Sequence, residues 1–119
     1  KLFETTAEFN GTVSDSKGNL RLIPANNQSS AYTLTTSDIG KHVSISSGGI
    51  TVPQNIGQGA AITIINNSGS DQTITQGSGV TMYNTADATT GNRTLASRGM
   101  ATILFVGNTD CYISGAGLS

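Results

Sequence analysis

The strongest constraint in this sequence is its cadence. From residue 31 onward, runs of three to seven residues rich in Ile, Val, Thr and Tyr alternate with turns of Gly, Asn, Ser and Asp. The runs cover 31–36, 41–46, 50–52, 60–65, 72–76, 80–83, 93–96, 100–106 and 109–114. None is long enough for a helix, and no window repeats apolar residues at helical spacing. Segment 87–98 comes nearest, but Gly91 interrupts it and Thr crowds it. Short strands punctuated by turn residues are the signature of an all-β domain. Alternation in 41–46 and 60–65 puts Val43, Ile45, Ile62 and Ile64 on inward faces. The run 100–106 is nearly continuous in apolar residues, as for a strand covered on both sides.

The expected fold is therefore a single antiparallel β-sandwich or barrel, jelly-roll-like, preceded by an extended N-terminal arm. Residues 1–30 are more polar and carry much of the charge, including Lys1, Glu4, Glu8, Asp15, Lys17 and Arg21. They read as an arm with one short strand, Leu20-Arg21-Leu22-Ile23, stopped by Pro24; residues 25–30 read as a loop. Residues 31–119 read as the β-domain, with 115–119 as a flexible or tightly packed end. No internal repeat of fixed period stands out.

One domain fits 119 residues, but the material for its core is thin. Hydrophobic residues make up 35% and aromatics 5%, with no Trp, so the core falls to Ile, Val, Leu and Ala. Subunit association is one way for such a chain to bury more surface, so an oligomer is expected. Only 11% of residues are charged and the net charge is −1, so no basic stripe exists to bind nucleic acid. No stretch approaches the length of a membrane span. The first residues lack the apolar core of a signal peptide, so the chain is expected to be made and used in a cytoplasm.

Candidate chemistry is sparse. Cys111 is the only cysteine and sits in an apolar run, which reads as a buried thiol. His42 is the only histidine and alternates outward beside Lys41; with one thiol it cannot assemble a zinc site of the usual kind. Gly40-Lys41 lacks the remaining residues of a phosphate loop. Asp38, Asp71, Asp87 and Asp110 stand singly in turns, where Asp ordinarily bonds nearby backbone. No catalytic group, cofactor or metal ion is expected, and the chain is read as non-enzymatic.

Three stretches nevertheless look familiar: Gly18-Asn19-Leu20-Arg21-Leu22-Ile23-Pro24 with Ser30-Ala31-Tyr32-Thr33-Leu34; Ser37-Asp38-Ile39-Gly40-Lys41-His42-Val43; and Thr90-Gly91-Asn92-Arg93-Thr94-Leu95-Ala96 running on to Tyr112-Ile113-Ser114-Gly115-Ala116-Gly117-Leu118-Ser119. Together they resemble small proteins encoded among the structural genes of tailed bacteriophages. The resemblance implies a virion protein, made in the host cytoplasm, whose partners are the major capsid protein or other virion proteins. The leading expectation that the resemblance implies is a capsid decoration, or cement, protein, a homotrimer seated at three-fold positions of the lattice, with the arm lying along neighbouring capsid subunits. The length suits such a protein complete but for an initiator Met. The alternative is a tail-fibre or tail-tip domain that binds a host surface glycan. For that role Tyr32, Tyr83 and Tyr112, the only tyrosines, are the candidate sugar-binding residues.

Overall fold

The computed structural model describes residues 8–119. The first part of the expected arm, residues 1–7, lies outside the described residues. The described residues are all-β, with eleven strands and one short 3₁₀ turn at Thr36–Asp38. A small hairpin comes first, β1 (Ser14–Asp15) with β2 (Gly18–Asn19). Nine strands then form one sheet that nearly closes on itself. They are β3 (Ala25–Gln28), β4 (Tyr32–Thr33), β5 (His42–Ile45), β6 (Ile50–Val52), β7 (Ala61–Asn66), β8 (Gln72–Gln76), β9 (Thr81–Asn84), β10 (Arg93–Phe105) and β11 (Asp110–Leu118).

The pairing corrects the antiparallel expectation. β3, β5 and β7 form one parallel ladder, and β4, β6 and β8 form another. The chain alternates between the two ladders, so each successive turn of chain lays one strand on each. Parallel neighbours normally need a long crossover; here the crossover from one strand to its neighbour is the strand on the opposite ladder. Turn residues of the same kinds end a hairpin and a coil corner, so the cadence alone does not separate the two. The spacing is also uneven. In register, Ala25, His42 and Thr63 are 17 and then 21 residues apart, which hides the repeat.

β10 closes the stack. Its first residues, Arg93 to Leu95, pair antiparallel with β8, and Met100 to Leu104 pair antiparallel with β7. The two sequence runs 93–96 and 100–106 are thus one long strand. It is bent where the pairing with β11 shifts between Leu95 and Met100, around Arg98 at φ 61°. The end read as flexible or tightly packed is the second half of β11, paired closely with β10, and β9 adds to β11 in parallel.

Alternation fills the core. Val43, Ile45, Ile62, Ile64, Ile74, Ile103 and Ile113 are fully buried, with Leu34, Ile50, Val52, Met82, Leu95 and Phe105 around them. Each such side chain contributes about 1.5–3 kcal/mol when fully buried. The run 100–106 is not covered on both faces: Ala101, Ile103 and Phe105 point in, and Met100, Leu104 and Val106 remain exposed.

Side-chain amides serve the coil corners. Asn66, fully buried, directs its amide to the carbonyls of Ser70 (2.7 Å), Leu95 (2.9 Å) and Ala96 (3.0 Å), fixing the β7–β8 turn to β10. Gln72 accepts from the Gly49 N–H at 3.1 Å. Gly49 has φ 74°, and a Cβ there would lie 2.7 Å from the Thr73 carbonyl oxygen, so this corner requires glycine. These bonds satisfy corner backbone that the ladders leave without partners.

The sequence places a strand at Leu20 to Ile23 and a loop after Pro24; the structure reverses this. Leu20 to Leu22 form a turn, and residues 25–28 supply β3. The polar run Ala-Asn-Asn-Gln makes a poor β pattern on its own. It is held extended by the backbone of β5, with His42 N–H donating to Pro24 O (2.9 Å) and Ser46 N–H to Gln28 O (3.0 Å).

Candidate interaction surfaces

The three candidate tyrosines do not form one site. Tyr83 and Tyr112 are register partners across β9 and β11, on the outer face of the sheet. Their rings stack with centroids 5.1 Å apart and planes inclined by 22°. That separation is close to the spacing of adjacent strands, so the rings stand side by side, each covering one face of the other. A sugar stacks on an open ring face, and this arrangement spends one face of each ring. On its other side Tyr112 has Leu104 as its register neighbour, and Tyr83 bridges to Thr90.

Tyr32 belongs elsewhere. It is half-buried in the first coil turn, where its hydroxyl donates to Asp38 Oδ2 at 2.8 Å and accepts from Asn26 Nδ2 at 3.0 Å. Asn26 also donates to Asp38 Oδ1 at 2.8 Å, and Gln28 donates to Asn26 Oδ1 at 2.8 Å. Asp38 is buried, and its Oδ2 further accepts the Thr35 N–H at 2.9 Å. Burial would raise this carboxyl, but the hydrogen bonds from Thr35, Asn26 and Tyr32 outweigh it and hold the group below its usual range. Burial first, and then the bond to Asp38, raises the Tyr32 phenol above its usual value. Every oxygen of Asp38 is engaged within the chain, so the cluster closes the inner end of the first coil with polar groups.

Other candidates fall into structural places. Cys111 is buried, and burial, with a smaller contribution from Asp110, pushes its thiol up to about 11. The thiolate that nucleophilic chemistry needs is therefore scarce at neutral pH. His42 is half-buried on the outer face, in register with Thr63. Asp87 accepts from the Thr89 hydroxyl (2.6 Å) and N–H (3.0 Å), as turn aspartates do, and these bonds lower its carboxyl. Among the described residues, no three His, Cys, Asp or Glu side chains gather as a metal site. No helix among them is long and apolar enough to cross a membrane.

Two surfaces were not legible as sites in the sequence. The first is apolar and N-terminal. Phe9, Leu20, Leu22 and Ile23 are 66, 58, 65 and 64% exposed. Leu20 and Leu22 line a groove of about 200 Å³ against Pro24 and Ile39. The hairpin that carries this segment is tied to the domain by Lys17, whose Nζ donates to the carbonyls of Ile39 (2.9 Å) and Thr36 (3.4 Å). The second is a polar groove of about 200 Å³ lined by Asn27, Gln28, Ser29, Ser44, Ser46 and Asn67. The apolar run at 20–23 was visible as sequence, but its exposure follows from the turn it adopts.

Comparison with known proteins finds no matching family and no matching curated protein.

Proposed function

We propose that this chain is a non-catalytic structural protein of a tailed-phage virion, a decoration protein that attaches to the assembled head through its N-terminal segment. The observation that carries the attachment is the exposure of Phe9, Leu20, Leu22 and Ile23 within one short stretch ahead of β3. Leu20, Leu22 and Ile23, three large apolar side chains exposed within four residues, favour a partner that covers them. Burying one of them contributes about 1.5–3 kcal/mol, so three or four suffice to anchor a small protein.

The rest of the molecule suits a passive load-bearing part. One sheet surrounds its core, and among the described residues no buried polar side-chain atom lacks a hydrogen-bond partner. A protein that binds only the assembled shell stabilises that shell by linkage, in proportion to the logarithm of its occupancy ratio. The phage assignment itself rests on the three sequence stretches given above. The glycan-binding alternative gains no support from the tyrosines, because Tyr32 is held in the Asp38 cluster and Tyr83 and Tyr112 cover one another.

The test uses phage heads assembled without this protein. Purified chain is expected to bind them saturably. Replacing Leu20, Leu22 and Ile23 together by Ser should weaken binding about tenfold or more while leaving the melting temperature of the domain nearly unchanged. Equal binding by the triple variant would overturn attachment through this segment. Binding to tails and not to heads would overturn the decoration role.

A further inference from the structure

The sheet has two kinds of edge, and they are treated differently. β9 is one edge. Its odd residues face β11, with Thr81 N–H donating to Thr109 O at 2.8 Å. Its outward donors are both occupied: Met82 N–H bonds Gln76 Oε1 and Asn84 N–H bonds Thr89 O, each at 2.8 Å. The loop after β9 folds back to bridge Tyr83 with Thr90. That edge is closed to further strands.

β3 and β4 are the other edge. Both belong to the first coil turn, one on each ladder. Pro24, just ahead of β3, and residues 26 and 28 of β3 face β5, so the N–H and C=O groups of Ala25 and Asn27 point away from the sheet. Beside β6, the Tyr32 N–H of β4 donates to Gly49 O and the N–H of Leu34, just past β4, to Thr51 O, so Thr33 points its backbone outward. No described residue bonds these outward groups, and the side chains of Ala25, Asn27 and Thr33 are exposed. Natural edge strands are usually guarded by charge, proline or a covering loop. Between Ala25 and Gln28, and at Tyr32 and Thr33, there is no charged residue and no proline.

We infer that this edge pairs with the same edge of a second copy of the chain. The charge pattern selects the occupant. Two identical edges meet with no like charges opposed, because neither strand carries any, and there is no charge to recruit a strand of opposite sign. The geometry follows from the outward residues. With Asn26 opposite its own copy on a twofold axis, Ala25 faces Asn27 of the second copy in a hydrogen-bonded antiparallel pair, and the reverse pair forms symmetrically. Four backbone bonds result on β3. The inner end of the coil there is polar, closed by Asn26, Gln28, Tyr32 and Asp38, so the contact is made by hydrogen bonds more than by apolar burial. This inference is independent of the virion role.

The experiment is sedimentation of the full chain over a wide concentration range. A concentration-dependent dimer is expected. Asn27→Pro removes one outward donor and leaves every bond to β5 in place, so it should keep the fold and raise the dimer dissociation constant about tenfold or more. A second test keeps the backbone intact. Ala25→Lys alone and Asn27→Glu alone should each weaken the dimer, and mixing the two variants should restore a heterodimer, because residue 25 of one copy faces residue 27 of the other. A monomer throughout, a trimer, or a dimer indifferent to all three variants would overturn the inference.

Discussion

Tyr32 donates its phenol hydrogen to the Asp38 carboxylate at 2.8 Å, and that bond closes the first turn of the coil from inside. It joins β4 to the 3₁₀ turn that follows, and Asn26 brings β3 into the same cluster. The turn also presents the Thr36 and Ile39 carbonyls that hold Lys17. One carboxylate thus organises the junction between the N-terminal hairpin and the domain.

The Asp38 carboxyl lies below its ordinary value in the folded chain. Its contribution to stability is therefore complete above the unfolded carboxyl pKa, about 4, and is lost as pH falls through the lower folded value. Thermal melts should show a fall in melting temperature below about pH 4 that Asp38→Asn flattens. The Tyr32 phenol is raised, so its share persists below the unfolded value of about 10 and is lost as pH rises through the folded one. At pH 7, Asp38→Ala should cost about 2–4 kcal/mol, because it strands donors from Asn26, Tyr32 and Thr35.

Tyr112→Ala removes the stack that holds β9 against β11. The expected loss is about 1–2 kcal/mol in chemical denaturation, with the fold retained. In the proposed decoration role, binding to heads should not change, since the N-terminal segment is untouched. A large loss of glycan binding in this variant would instead restore the tail-fibre reading.

Gly115 lies where β11 crosses β10, and a Cβ there would collide with the Met100 carbonyl oxygen and the Ala101 Cα. Gly115→Ala should cost about 2–4 kcal/mol. Gly107, in the turn before β11, has nothing within 4 Å of a built Cβ, so Gly107→Ala should lie within about 0.5 kcal/mol of the parent. Denaturant midpoints of the two variants check the contrast.

Cys111 offers a direct probe of unfolding. Its thiol is buried and pushed up to about 11. An aromatic disulfide reagent at pH 8 should leave the native chain unmodified for hours and react with it promptly in concentrated guanidinium. Rapid reaction of the native chain would contradict the packing of β11 against the core.

Much of this architecture was legible in the residues, and the failures have physical causes. Strands such as Ile50–Val52 and Gln72–Gln76 stand out because Ile and Val alternate with Thr between turn residues. The inward set of Val43, Ile45, Ile62 and Ile64 follows from the same alternation. Strand direction did not, because Ser47-Gly48-Gly49 looks alike whether the chain doubles back beside itself or passes to an opposite ladder. β3 was missed because Asn26 and Gln28 are inward residues serving a polar cluster, so no apolar alternation marks the strand. Leu20, Leu22 and Ile23 mislead in the opposite sense: an apolar run normally signals burial, and here it is exposed. Of the tyrosines, Tyr83 and Tyr112 come together only through the parallel pairing of β9 with β11, which no local signal announces.

The most direct test of the proposed decoration role is gold-labelled antibody imaging of tailed-phage virions assembled in the presence of this chain. Label distributed over the head surface is the expected result, and it should disappear when the N-terminal segment carries Ser at positions 20, 22 and 23. Label confined to the tail, or absent from purified virions, would contradict a decoration role.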